Sequence, residues 1–308
     1  MALPFLWQTV TLYLRRVTAM PMPCPPHLYG FIRHLTISMS DTLPFESIEP
    51  ILTRIVTEDL LPTLRSFTWA CGFRLPLPIY LHLRNSPTLR SLSILHGVLR
   101  IWELGKEAPP ICALEHLEVH TPELITDMFQ SGSHTPSTIQ SLTFPHSGVF
   151  AAIEATLPLP ALRKLHFTGA ISTKEAHRLL QFFFANPTIE ELNFRSYCPQ
   201  LPLSSTLVSI LPNLAAIFDE RNNTHIVPSL LWHQPLHTFA SNTKVPASDL
   251  RRLNVTNLRL LRITVDDAAF LTLLEGLSSA VEPFPLDEIE VHVEAASSST
   301  KVCSLRFI

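Results

Sequence analysis

Glycine is scarce in this chain, with eight among 308 residues, and no two of them fall into a GxGxxG or GxxxxGK pattern. The amide-rich loop that cradles a phosphate is therefore missing, which speaks against nucleotide chemistry. Charge is sparse as well: 16% of residues are Asp, Glu, Lys or Arg, the formal net charge is -3, and no basic run occurs. A nucleic-acid partner would require a basic footprint, so none is expected. No apolar stretch reaches the roughly 18 to 20 residues of a bilayer-spanning helix, and no membrane is expected either. Five cysteines, Cys24, Cys71, Cys112, Cys198 and Cys303, form no CxxC or CxxxC pair. Such an odd, scattered set suits reduced thiols in a cytoplasmic or nuclear setting. The apolar stretch Met1 to Leu14 comes ahead of Arg15 and Arg16, the reverse of the polarity of a secretory signal. GxSxG and HExxH are absent, so neither an esterase-type nucleophile nor a zincin is signalled.

What the chain has is repetition. Hydrophobic residues make up 46% of it, enough for a continuous core, and prolines number 27. An apolar residue recurs three positions before another, often behind a proline or asparagine, as in Pro62-Thr63-Leu64-Arg65-Ser66-Phe67, Pro87-Thr88-Leu89-Arg90-Ser91-Leu92 and Pro187-Thr188-Ile189-Glu190-Glu191-Leu192. Taking the second apolar residue as an anchor gives Leu35, Phe67, Leu92, Leu117, Leu142, Leu165, Leu192, Ile217, Phe239, Leu261 and Ile289. Successive gaps are 32, 25, 25, 25, 23, 27, 25, 22, 22 and 28 residues, a period that points to stacked repeats.

Around each anchor apolar and polar residues alternate, as in Leu114-Glu115-His116-Leu117-Glu118-Val119, which predicts a short strand with the anchor and the residue two further on facing one side. Strands repeated every 25 residues or so with helical patterns between them imply parallel pairing through right-handed crossovers. Helical spacing appears in Ile48, Ile51, Leu52, Ile55 and Val56, and again in Ala176, Leu179, Leu180 and Phe183. Ser172-Thr173-Lys174-Glu175 reads as a capping box, and Asp266 or Asp267 as the N-cap of a third helix through Phe270 and Leu274. In Phe182-Phe183-Phe184, three successive residues sweep about 200° of a helix, so at least one faces outward. The fold class expected is an α/β solenoid of horseshoe form, its parallel sheet on the concave face and its helices on the convex face.

The Leu-x-x-Leu-x-Leu core at Leu89 to Ile94, Leu114 to Val119, Leu162 to Phe167 and Leu258 to Ile263 resembles that of leucine-rich repeats, over roughly residues 28–293. The pattern departs in one respect: regular repeats place Asn or Cys five residues after the anchor, where this chain has Ser40, Gly72, Gly97, Pro122, Ser147, Ala170 and Tyr197. Long, variable units with a Pro-x-Leu lead-in are most similar to the repeat regions of fungal F-box proteins. That resemblance implies an adaptor presenting a target to a cullin-type ubiquitin ligase. Residues 1–27 do not hold an F-box, and Leu6-Trp7-Gln8-Thr9 is similar to the stretch that trails one, which implies a chain beginning just inside the family's usual start. We therefore expect residues 1–27 to be a cap or the remnant of a preceding module, 28–293 the repeat domain of about eleven units, and 294–308 a cap or tail.

His116, Glu118 and His120 alternate on one strand face, with His166 two repeats on, and imidazole with carboxylate suits zinc. Alternate residues on a strand lie about 7 Å apart and strands two apart about 10 Å, too far for one ion, so neither metal nor cofactor is expected. The face opposite the anchors is then the candidate site. We take His116, Glu118, His120, Lys164, His166, Glu191, Asn193, Arg195, Phe218 and Arg262 as the residues that contact a protein target. The function expected is non-enzymatic recognition, as the substrate-recognition part of an F-box type adaptor reaching cullin-type ligase subunits if an F-box lies upstream. A repeat scaffold without a ligase role is the alternative.

Overall fold

The computed structural model describes residues 8–14, 26–39, 50, 52–53, 63–98, 113–121, 124–125, 138–144, 158–195, 209–220, 236–250, 257–278, 287–294 and 300–306. The chain divides into two compact units, Met1–Ala161 and Leu162–Ile308.

The first unit holds six strands, β1 (Thr9–Leu14), β2 (His34–Met39), β3 (Ser66–Cys71), β4 (Ser91–Ile94), β5 (His116–Val119) and β6 (Ser141–Phe144). Each is parallel to the next, and the anchors pair in one row, Leu35 with Phe67, Phe67 with Leu92, Leu92 with Leu117 and Leu117 with Leu142. One strand more than the repeat count foresaw is present, since Val10 of β1 pairs with Leu35 in the same row. A 3-10 helix (Pro26–Phe31) and helix α1 (Leu77–Arg84) lie between strands. Anchors and the residues two beyond them form the core: Leu35, Ile37, Phe67, Trp69, Leu92, Ile94, Leu117, Val119, Leu142 and Phe144 are all buried. The Trp69 indole N–H is satisfied inside by the Phe73 carbonyl at 2.7 Å. Gly97 occupies a position where regular repeats carry asparagine, and its φ of 79° explains the choice, because an added Cβ would also lie 2.8 Å from Thr121.

The second unit holds β7 (Lys164–Phe167), α2 (Thr173–Ala185), β8 (Glu191–Phe194), β9 (Ala216–Asp219), β10 (Thr238–Lys244), the single turn α3 (Ala247–Leu250), β11 (Leu260–Asp266), α4 (Asp267–Ser278), β12 (Glu288–Glu294) and β13 (Thr300–Arg306). Here too the anchors line up, Leu165, Leu192, Ile217, Phe239, Leu261 and Ile289, and only β13 runs antiparallel, against β12. The ladder between β10 and β11 shifts register between Ala240 and Lys244. Phe167 and Phe194 stack at 5.2 Å in the core column. That column lapses once, where Asp219 and Ser241, each 1% exposed, replace the expected apolar pair and bond to each other at 3.3 Å.

The helix expectations fare well where residues are described. Asp266 caps α4 through its Oδ1, which accepts the Ala269 amide at 2.8 Å. Phe182 and Phe183 are buried and Phe184 is 63% exposed. Asn186 folds its amide back to the Phe182 carbonyl at 2.8 Å where α2 ends ahead of Pro187. Of the helix read around Ile48 to Val56, Ile48, Ile51, Ile55 and Val56 lie outside the described residues, as does the Glu175 side chain of the capping box.

Register is set at the start of each strand by a shared acceptor. The residue two ahead of an anchor offers its carbonyl to two amides of the next strand: Gln8 to Arg33 and His34, Arg33 to Arg65 and Ser66, Arg65 to Arg90 and Ser91, and in the second unit Arg163 to Glu190 and Glu191, all within 3.0 Å. The threonine just ahead of the first apolar residue of a lead-in adds a side-chain clasp. Thr88 donates to Leu64 O at 2.9 Å, Thr138 to Leu114 O at 2.7 Å and Thr188 to Leu162 O at 2.8 Å. Arginines answer in the opposite direction, Arg33 to Thr63 O at 3.2 Å and Arg163 to Thr188 O at 3.3 Å. Each unit is thus a run of leucine-rich-repeat-type α/β solenoid.

Removing the clasp at Thr188 by Thr188→Val should cost about 1 kcal/mol, the usual net worth of one hydrogen bond. Leu192→Ala, at a fully buried anchor, should cost about 2 to 5 kcal/mol. Urea unfolding of both variants measures this, and an unchanged midpoint for Thr188→Val would show the clasp to be dispensable.

Candidate functional site

The residues one before, one after and three after each anchor turn to the face opposite the core. In the first unit this face is nearly free of charge. It presents Thr9, Thr11 and Tyr13 from β1, His34, Thr36 and Ser38 from β2, Ser66, Thr68 and Ala70 from β3, and Ser91 and Ser93 from β4 with Leu95 just after it. On β5 His116 is exposed while Glu118 and His120 are half-buried. Ser93, at the matching place on β4, donates to Glu118 Oε2 at 2.6 Å. His120 Nε2 stands 3.5 Å from Glu118 Oε1, too long for a hydrogen bond, and is otherwise unsatisfied. Ser93 and His120 therefore come together at the Glu118 carboxylate, with His116 on the same face of the strand.

In the second unit β7, β8 and β9 assemble six more. Glu191 lies opposite Lys164 in the ladder and accepts from both neighbours, His166 Nε2 at 3.0 Å and Lys164 Nζ at 3.0 Å. The His166 hydrogen bond, aided by Lys164 and opposed by partial burial, holds the Glu191 carboxyl at about 2 against an ordinary 4.5. Asn193 faces the same side but is only 8% exposed, and its Oδ1 has no partner. Arg195 pairs with Glu220 at 3.4 Å. Phe218 follows Asn193 in the row and is half-buried, with the small Ala240 next to it and Arg262 one strand further. Arg262 grips Glu290 with two nitrogens, each 2.7 Å from Oε2, and His292 donates to Oε1 at 2.8 Å. His292, foremost, and Arg262 keep the Glu290 carboxyl below the ordinary range.

Reading the chain for the site picked out Glu118 and Arg262 without their partners Ser93 and Glu290. The signal for both was present: a residue directly after an anchor meets the residue directly after the next anchor, 25 positions on for Ser93 and 28 on for Arg262. Among the described residues no three His, Cys, Asp or Glu side chains converge as a metal site. No described helix is long and apolar enough to cross a membrane.

No family model matches the sequence, and no curated protein does. Among solved structures the chain is similar to a protein of Bacteroides fragilis, at 12% identity and a TM-score of 0.39, over 88% of this chain and 67% of that one. It is also similar to the TLR13–ssRNA13 complex, at 15% identity and a TM-score of 0.35, over 78% of this chain and 43% of that chain's length.

The lowered Glu191 pKa fixes a sign. A carboxyl depressed in the folded state adds stability that is complete above the unfolded value near 4.5 and is lost as pH falls toward about 2. In acid unfolding, the advantage of the parent over Glu191→Gln should shrink across that window, and a gap that stays constant would refute the assignment.

Proposed function

We propose that this chain is a non-enzymatic protein-interaction module whose partner lies on the sheet face opposite the anchors, with Phe218 as its anchor point. One observation carries the reading: among the described residues of the second unit's face, Phe218 is the one Phe, Tyr or Trp, and it is set between small residues within a rim of ion pairs. A few large side chains usually dominate binding energy, and a polar rim excludes water around them. Ala216 and Ala240 flank it in the neighbouring places and leave the ring reachable. His116, Glu118, His120, Lys164, His166, Glu191, Asn193 and Arg195 supply polar contacts around the two clusters, and Arg262 the far side of the aromatic.

The finer proposal is the substrate-recognition part of an F-box type ubiquitin-ligase adaptor, acting in the cytoplasm or nucleus. Its support is the resemblance of the Pro-x-Leu lead-in and the irregular long repeats to those fungal families. Proximity labelling in the native cell with the parent, Phe218→Ala and Leu271→Ala tests both levels. Phe218→Ala should weaken capture of the partner by about 30-fold, the worth of about 2 kcal/mol, whereas Leu271→Ala on α4 should retain it. Labelling that ignores Phe218 would overturn the face. Failure to recover cullin-type ligase subunits would overturn the adaptor reading alone.

A further inference from the structure

β1 lies at the end of the strand order, and among the described residues nothing pairs with its outer edge. The Gln8 carbonyl faces β2, where it accepts from Arg33 and His34. Successive residues of a strand turn their main-chain groups to opposite edges, so Val10 and Leu12 also face β2, while Thr9, Thr11 and Tyr13 point their N–H and C=O outward. An edge of this kind is a template for another strand, and proteins ordinarily guard it with lysine, proline, a bulge or an inward charge. Thr9–Leu14 has none of these: it reads TVTLYL and pairs with β2 over all six residues without a shift. Thr9 and Thr11 are exposed, and Tyr13 is 70% exposed.

We propose that β1 pairs with β1 of a second copy, antiparallel, about a two-fold axis through Thr11. The sequence of the strand selects this occupant. With the axis at Thr11, residues whose numbers add to 22 stand opposite: Thr11 meets Thr11, Thr9 meets Tyr13 and Val10 meets Leu12. Polar residues then meet polar on the open face, and apolar residues meet apolar on the core face. Thr–Thr and aromatic–β-branched pairs are favourable across strands, and no charged residue is brought against its own image. All three outward residues also become the hydrogen-bonded pairs of the new ladder. A two-fold contact closes on itself, so the pairing ends at a dimer.

Size-exclusion chromatography with light scattering on the full chain provides the test. The parent should elute with the mass of a dimer. Thr11→Pro removes an amide that β2 does not use, and Thr11→Lys sets like charges face to face across the axis. Both should keep the parent's far-ultraviolet circular dichroism and weaken dimerisation at least tenfold. The register is read by oxidation: Thr11→Cys should form a disulfide-linked dimer, because the paired Cα atoms would lie about 5.5 Å apart, within disulfide reach. Thr36→Cys, the matching place on β2, should not. A monomeric parent, a dimer that survives both Thr11 substitutions, or equal cross-linking through Thr36→Cys would each overturn the proposal.

Discussion

Everything in both units depends on one main-chain oxygen per repeat. By accepting two amides of the following strand, the carbonyl two residues ahead of each anchor pins where that strand begins. Side chains alternate with a period of two, so a slip of one residue would exchange core and face along the whole strand. With the start pinned, the stretch between strands can vary. Gaps run from 22 to 32 residues, yet every anchor pair recorded in the ladders stays in the same row. The threonine clasp and the answering arginine reinforce this point from both sides, one repeat giving a hydroxyl and the other a guanidinium.

The charged pairs of the second unit have a common direction. Lys164 to Glu191, Arg195 to Glu220 and Arg262 to Glu290 all place the cation on the earlier strand and the carboxylate on the later one. Exposed pairs of this kind contribute about 0 to 1 kcal/mol each. They add little to stability and link neighbouring strands across the open face. The first unit reaches a polar face by another route, with hydroxyls and imidazoles around the single carboxylate of Glu118 among the described residues of its strands.

The anchor row was legible because each anchor had an apolar residue three places ahead and nine of the eleven had another two places beyond, and each lies in a strand of its own unit's register. β1 escaped because the places five and three before Val10 hold Phe5 and Trp7, where the clearest lead-ins have proline and Leu or Ile, although Val10 precedes Leu35 by 25 residues, a full period. The cross-strand partners of the site escaped because pairing is a property of two repeats read together. Ser93 and Glu118 look unrelated until their distance from an anchor is compared. The threonines of the clasp were visible in the lead-ins, but a threonine hydroxyl reveals its acceptor only once the neighbouring carbonyl is in place. Asp219 resists any such rule, since a carboxylate two places after an anchor breaks the pattern that defines the core.

That carboxylate bears on how the second unit yields. In stacked repeats each unit is held by its neighbours, and stability passes along the stack through their shared core. The Asp219–Ser241 contact sets a buried, hydrogen-bonded polar pair between β9 and β10 where the Phe167–Phe194 step has stacked rings. Phe218 sits directly before Asp219 on β9. The half-buried Phe218 on the open face therefore has a polar pair beside it in the core column, on the strand where that column changes character.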